Sequence, residues 1–202
     1  MSVTDLEVKA SGGPYLFDVE GHGKVTDMSI ASWTGALLRA TSSSTWNITS
    51  SHITSIGLSQ ENLMLVGDTT HVSITLMDII LCQASSFLST FGTPRVHLSD
   101  VQVQTAQIGE SVMDITGGTV EIEAVNFERL DGPGPWMRAS GTATQVHIDN
   151  VSVDRVDAVI HADSKSTVHV RNLHLPAPLP KVQQRPISHR ILAESGSKVS
   201  SL

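Results

Sequence analysis

Three polar side chains that could take part in acid–base chemistry or bind an anion follow one another at nearly equal steps in this 202-residue chain. Asp114 is followed by Arg138 and then by His161, with almost the same spacing each time. A carboxylate and an imidazole move protons in general acid–base catalysis, and a guanidinium binds carboxylates or stabilises a developing anion. Such chemistry requires a fold that brings equivalent positions of successive repeats into contact.

A second polar set has a similar spacing. His97, Glu121, His147 and His169 also follow one another at nearly equal steps. Imidazoles and a carboxylate at steps of about 4.8 Å, the distance between neighbouring strands, would suit a zinc site. The polar side of a flat sheet brings ligands together poorly, so a solvated row is the alternative. Stacked imidazoles in such a row would repel each other once protonated.

The whole chain carries this repeat. A turn position, polar in most copies, returns eight times at nearly constant intervals. Its members are Asp5, Asp27, Ser50, Leu76, Asp100, Ala124, Asn150 and Asn172. On both sides apolar and polar residues alternate, as in half-buried strands, and Val and Ile predominate. A third apolar segment follows after a variable loop. Three short strands per repeat, stacked on their neighbours, predict one continuous core.

Over residues 1–175 the chain resembles right-handed parallel β-helix proteins of the pectin-lyase-like superfamily, with no particular member favoured. The Asp/Asn/Ser column resembles the polar ladder of those proteins, and Asn and Asp tolerate the left-handed backbone that a sharp turn needs. We therefore expect an all-β fold, a right-handed parallel β-helix of about eight coils with a period of roughly 22–26 residues. Residues 176–202 are expected to form a Pro-rich loop plus final strands, as a cap or the start of a further coil.

The enzymes that the chain resembles carry their sites on the third sheet, the stack of third strands. If the apolar residues there point inward, alternation sends Asp114, Arg138 and His161 outward in one row. Asp114 is then the candidate acid or base, and Arg138 the group that stabilises an anion or binds a uronate carboxylate. A solvated row of ion pairs is the alternative, because two-carboxylate hydrolysis needs a second acid and calcium needs several oxygen ligands.

The same alternation predicts an outward apolar row beside these polar residues. Its members are Leu16, Leu37, Val112, Trp136 and Val159. A continuous apolar row is unusual on an exposed surface. We therefore expect either that loops cover this row or that the row is a contact surface. Trp136 either packs beneath its own loop or stacks on a sugar ring, and it forms with Arg138 the candidate ligand-binding pair.

Composition excludes some classes of function. A net charge of −7 argues against nucleic-acid binding, which needs a basic patch. No run approaches the roughly 18 apolar residues of a membrane span, and no signal peptide is recognisable. Cys82 is the single cysteine, so an internal disulfide is excluded and we expect a buried thiol. Asn47 and Asn150 begin glycosylation patterns. Gly21-His22-Gly23 resembles a segment of polygalacturonases but lacks their preceding aspartate pair, so we interpret it as a glycine turn.

We expect a non-catalytic structural or adhesive β-helix of a secreted, cell-surface or viral-fibre protein. It would bind carbohydrate, or assemble laterally or end to end into a homo-oligomer, without a cofactor. The alternative is a polysaccharide lyase or glycoside hydrolase with its site on the third sheet. The extracellular location follows from analogy of fold alone.

Overall fold

The computed structural model describes residues 2–57, 61–154, 160–163, 165–175, 191–193 and 198–201, and the regular structure in these ranges is entirely β-strand. Val159 and the Pro-rich segment 176–186 lie outside the described residues. The expectation of a cap or a further coil after residue 175 therefore stays a prediction.

Within the described ranges, nineteen strands wind around one core. They are β1 (Ser2–Thr4), β2 (Glu7–Val8), β3 (Ser11–Val19), β4 (His22–Ile30), β5 (Trp33–Ala40), β6 (Thr45–Gly57), β7 (Met64–Val66), β8 (His71–Ala84), β9 (Leu88–Phe91), β10 (Arg95–Ile108), β11 (Met113–Thr116), β12 (Thr119–Phe127), β13 (Leu130–Asp131), β14 (Met137–Ser140), β15 (Gln145–Val153), β16 (Ile160–Ala162), β17 (Thr167–His174), β18 (Ile191–Ala193) and β19 (Lys198–Ser201).

Each strand pairs in parallel with strands about one repeat away. Val96 on β10 lies between Val72 on β8 and Val120 on β12. On the third sheet Met113 lies between Leu88 and Met137. The parallel β-helix is thus confirmed, with about seven turns. The expectation of about eight coils counted the eight turn residues, which enclose seven complete turns.

The repeated turn residue has a left-handed backbone in every copy. All eight members have φ between 51° and 57°, including Leu76 and Ala124, whose side chains favour this region least. In β6, β8 and β10 the strand continues through this residue without a break. The kink shifts the inward–outward alternation by one position, so the strand segments on both sides direct their apolar residues into the same core. We call these segments the first and second strands of a coil.

The core is a stack of aliphatic columns. One of them, two residues before the turn, is at most 2% exposed over six coils: Val25, Ile48, Ile74, Leu98, Ile122 and Ile148. Shape matters as well as polarity in the neighbouring column. There Gly23 lies opposite Trp46, and a Cβ atom at Gly23 would overlap the indole ring. The smallest residue of the column thus makes room for the largest.

The predicted outward apolar row is wrong at three of its four described members. Leu37, Val112 and Trp136 are each at most 1% exposed, and Leu16 is half-buried. Bends at the start of the third strands explain the error. The N–H groups of two successive residues, Leu37 and Leu38, both donate to the carbonyl of Leu63, at 2.8 and 3.2 Å. Such a bulge turns adjacent side chains to the same side, so strict alternation fails there.

The left-handed turn can be tested at Leu76, whose side chain is 57% exposed and contributes little to the core. A non-glycine residue pays about 1–2 kcal/mol in this conformation, and Asn pays less. We expect Leu76→Asn to stabilise the protein by about 0.5–1 kcal/mol, measured as a higher midpoint of urea unfolding. The reverse exchange, Asn150→Leu, serves as the matched control and should lower the midpoint. A lower midpoint for Leu76→Asn would contradict the role assigned to this column.

Candidate functional site

The predicted row on the third sheet forms in register. Asp114 on β11 lies opposite Arg138 on β14, which lies opposite His161 on β16. Arg138 is exposed, whereas Asp114 and His161 are half-buried. The inward positions are confirmed as well, because Met113, Met137 and Ile160 are at most 2% exposed. The catalytic role of this row stays a prediction.

Asp114 has an altered acidity. Burial raises its pKa above the usual range, the guanidinium of Arg138 opposes this increase, and the carboxylates of Glu110 and Asp163 add to it. A carboxyl group in such surroundings is easier to protonate than a solvated one, which is a property required of a general acid.

A second outward row, which was not predicted from the sequence, lies beside the first. Two residues after each member of the first row come Thr116, Ser140 and Asp163. Thr116 lies opposite Ser140, with 3.3 Å between their hydroxyl oxygens. The Oδ1 atom of Asp163 is buried and has no hydrogen-bond partner among the described residues. The sequence contains both outward rows as the patterns D-x-T, R-x-S and H-x-D. A role was predicted only for the first residue of each pattern.

The raised pKa of Asp114 has a consequence for stability. A carboxyl group whose pKa is raised by folding contributes stability that is present below its unfolded pKa of about 3.9 and lost as pH rises through the folded value. At neutral pH ionised Asp114 is therefore unfavourable. We expect Asp114→Asn to raise the melting temperature by roughly 1–3 °C at pH 7, a small shift because the group is half exposed to solvent.

At pH 3, where the carboxyl group is protonated, this gain should largely disappear. Thermal unfolding followed by circular dichroism at both pH values measures the difference. Asp78→Asn is a suitable control, because the carboxylate of Asp78 lies 3.0 Å from the Nδ1 atom of His52, and we expect its replacement not to raise the melting temperature. An unchanged or lower melting temperature for Asp114→Asn at pH 7 would show that ionised Asp114 is not unfavourable.

The second predicted set lies on the outer surface of the first strands, which we call the first face. His97, Glu121, His147 and His169 follow one another in register there. They form two separate pairs: His97 Nδ1 lies 3.4 Å from Glu121 Oε2, and the rings of His147 and His169 stack at 4.9 Å. Within the described residues no three His, Cys, Asp or Glu side chains are grouped so as to hold a metal ion.

Two adjoining grooves run along the first face. One, of about 380 Å³, is lined by residues that include Asn47, His71, Arg95 and His97. The other, of about 360 Å³, is lined by residues that include Glu123, Asp149 and Arg171 together with the stacked histidines. Glu121 lines both, so the two grooves meet at this side chain. Together they extend from β6 to β17.

Trp136 is not available as a sugar-stacking residue. Its side chain is 1% exposed, because the bend before β14 turns it into the core together with Met137. Burial thus excludes sugar stacking by the indole, which packs in the core rather than only beneath its own loop as the other alternative had it. Arg138 remains exposed, so the predicted ligand-binding pair is divided between core and surface.

Three smaller features also have defined places. Gly21 has φ of 89° directly before β4, as expected of a glycine turn. Asn47 and Asn150, which begin the glycosylation patterns, are both exposed, the first on β6 and the second at a left-handed turn. Among the residues described, no helix is long and apolar enough to cross a membrane.

Cys82 is a buried thiol, as predicted. It is fully enclosed on β8 between Ile56 and Ala106, and burial raises its pKa to about 12. Because the thiolate is the reactive form, we expect native protein at pH 8 to react with Ellman's reagent more than tenfold more slowly than protein unfolded in urea, which should release one equivalent. Rapid reaction of the native protein would contradict this packing.

Comparison of the chain with models of protein families, with characterised proteins and with solved structures returned no significant match. The pectin-lyase-like resemblance therefore stays a prediction from the sequence repeat, and functional inference rests on the two outer surfaces described above.

Proposed function

We propose that this protein is a non-catalytic structural or adhesive β-helix, which acts outside the cell or at its surface and binds an extended carbohydrate chain along the first face. The observation that carries the proposal is the pair of grooves that meet at Glu121. Their combined length crosses successive coils, so a linear polymer lying parallel to the helix axis would contact these coils in turn.

The chemistry of the grooves supports such a ligand. Amide, hydroxyl, imidazole and carboxylate groups alternate along them, and all of these exchange hydrogen bonds with sugar hydroxyls. Asn47, Ser73 and Glu121 are examples of the amide, hydroxyl and carboxylate types. The coils beneath are fixed at steps of about 4.8 Å by parallel pairing and by a fully buried core. A preorganised surface of this kind loses little entropy when a ligand binds.

A rigid rod with regular outward rows also suits a structural or adhesive role, since its exposed surface can change without disturbing the buried columns. Lateral or end-to-end assembly into a homo-oligomer stays a prediction from the sequence.

The third sheet supports a second candidate function, glycoside hydrolysis. The structure adds Asp163 to the predicted Asp114, with Arg138 on the strand between them. The strand that carries Asp114, β11, and the strand that directly precedes Asp163, β16, are two coil steps apart. This corresponds to roughly 10 Å between their backbones. A protonated acid and an ionised base on either side of a bound sugar would constitute the two-carboxylate arrangement of inverting hydrolysis. The raised pKa of Asp114 suits the acid role.

Carbohydrate binding on the first face and glycoside hydrolysis on the third sheet predict that different variants lose function. A panel of neutral and anionic polysaccharides should be tested for binding by isothermal titration calorimetry. We expect one class to bind, and Glu121→Ala to weaken this binding at least about tenfold through loss of charge-assisted hydrogen bonds. Gln102→Ala, an exposed change on the second strand of β10, is the matched control and should bind normally.

The same mixtures should be assayed for reducing ends and for unsaturated products. Turnover that is abolished by Asp114→Ala or Asp163→Ala would replace the binding proposal by the hydrolase. Binding that is unaffected by Glu121→Ala but lost in Arg138→Ala would move the site to the third sheet.

A further inference from the structure

The stacked histidine pair lies on the first face at the contact between two coils, beside the ion pair of Asp149 and Arg171. His147 on β15 and His169 on β17 are directly opposed, with ring centroids 4.9 Å apart and planes inclined by 16°. His147 is exposed and His169 is half-buried. Two neutral rings, or one neutral and one charged ring, pack favourably in this way, whereas two charged rings repel each other.

The charges around the two rings differ. His147 faces carboxylates. Glu121 lies opposite it on β12, Glu123 lies diagonal to it on β12, and Asp149 lies two residues further along β15. All three of these neighbouring side chains are acidic. His169 faces cations instead, with Arg171 two residues away on β17 and Lys198 diagonal on β19, and its Nδ1 atom lies 2.6 Å from the Ser200 hydroxyl.

Asp149, the carboxylate diagonal to His169 on β15, is already engaged. Asp149 lies 3.8 Å from Arg171 and accepts a hydrogen bond of 3.0 Å from Asn172. A charge on His169 would therefore be added beside a charged His147, Arg171 and Lys198, with no carboxylate on the described part of β17 or β19 to compensate it.

The coil that contains β17 is also less well buried than the coil directly before it. Leu173 and Leu175 are half-buried, whereas their counterparts Val151 and Val153 in the preceding coil are at most 1% exposed. Elements with fewer buried apolar contacts open locally at a lower free energy than the rest of a structure.

We propose that the His147–His169 stack is an acid-sensitive contact that holds β17 on β15 near neutral pH and weakens when both imidazoles are charged. Histidine side chains gain their charge between about pH 8 and pH 5. Acidification would then open the coil of β17 locally while the preceding coils stay folded. The proposal does not depend on carbohydrate binding, because its readout is the protection of the free protein.

Native-state hydrogen exchange followed by mass spectrometry tests it at pH 7.5 and pH 5.0, with protection factors corrected for the intrinsic exchange rate. We expect the protection of β17 to fall by about two- to fivefold at pH 5.0 relative to that of β8. In His147→Asn and in His169→Gln the fall in β17 protection should be less than half of the fall in the wild type. His52→Asn is the matched control, because His52 faces Asp78 rather than another imidazole, and β17 should respond in it as in the wild type.

Two results would overturn the proposal. One is a β17 protection factor that is the same at both pH values in the wild type. The other is an equal fall in His147→Asn and His169→Gln, which would assign the acid response to groups such as Asp149 instead of the stack.

Discussion

The structure depends on one constraint: each coil places a single residue in the left-handed region at the same point of the hydrogen-bonded register. Parallel pairing alone would stack flat strands. A left-handed residue in every coil bends the chain around the core and changes the phase of alternation, so that both flanking strands bury their apolar residues. Leu76 and Ala124 adopt this conformation although their side chains do not favour it, which shows that the surrounding register determines the backbone there.

Because the register is fixed, every outward residue has a predetermined neighbour in the next coil. Positions one repeat apart in sequence become neighbours at strand spacing, and chemistry on the surface is arranged in rows. On the third sheet this arrangement produces Asp114–Arg138–His161 with Thr116, Ser140 and Asp163 beside it. On the first face it produces the grooves that meet at Glu121. Neither surface needs a special loop, and both follow from the geometry that forms the core.

The period, the turn column and the inward columns were predictable from the sequence, because a half-buried strand alternates strictly and a repeat shows this alternation many times. The third strands were harder. Several of them, such as Met64–Val66 and Leu88–Phe91, have only three or four residues and follow loops of different length, so alternation has few positions over which to show itself. The outward apolar row failed at Leu37 because a bulge depends on backbone hydrogen bonds that side-chain alternation does not report. It failed at Val112 and Trp136 because these residues lie in bends directly before β11 and β14. Asp163 was missed as a partner of Asp114 because their proximity depends on burial and on the register of two coils together.

The central functional claim is that ligand binding takes place on the first face and not on the third sheet. Hydroxyl-radical footprinting of the protein, alone and saturated with the polysaccharide that binds it, measures this directly by mass spectrometry. Both surfaces carry histidines, so oxidation of the same residue type can be compared. The account predicts that bound ligand protects His97 and His147 and leaves His161 as reactive as before. Protection of His161 with no change at His97 and His147 would contradict it.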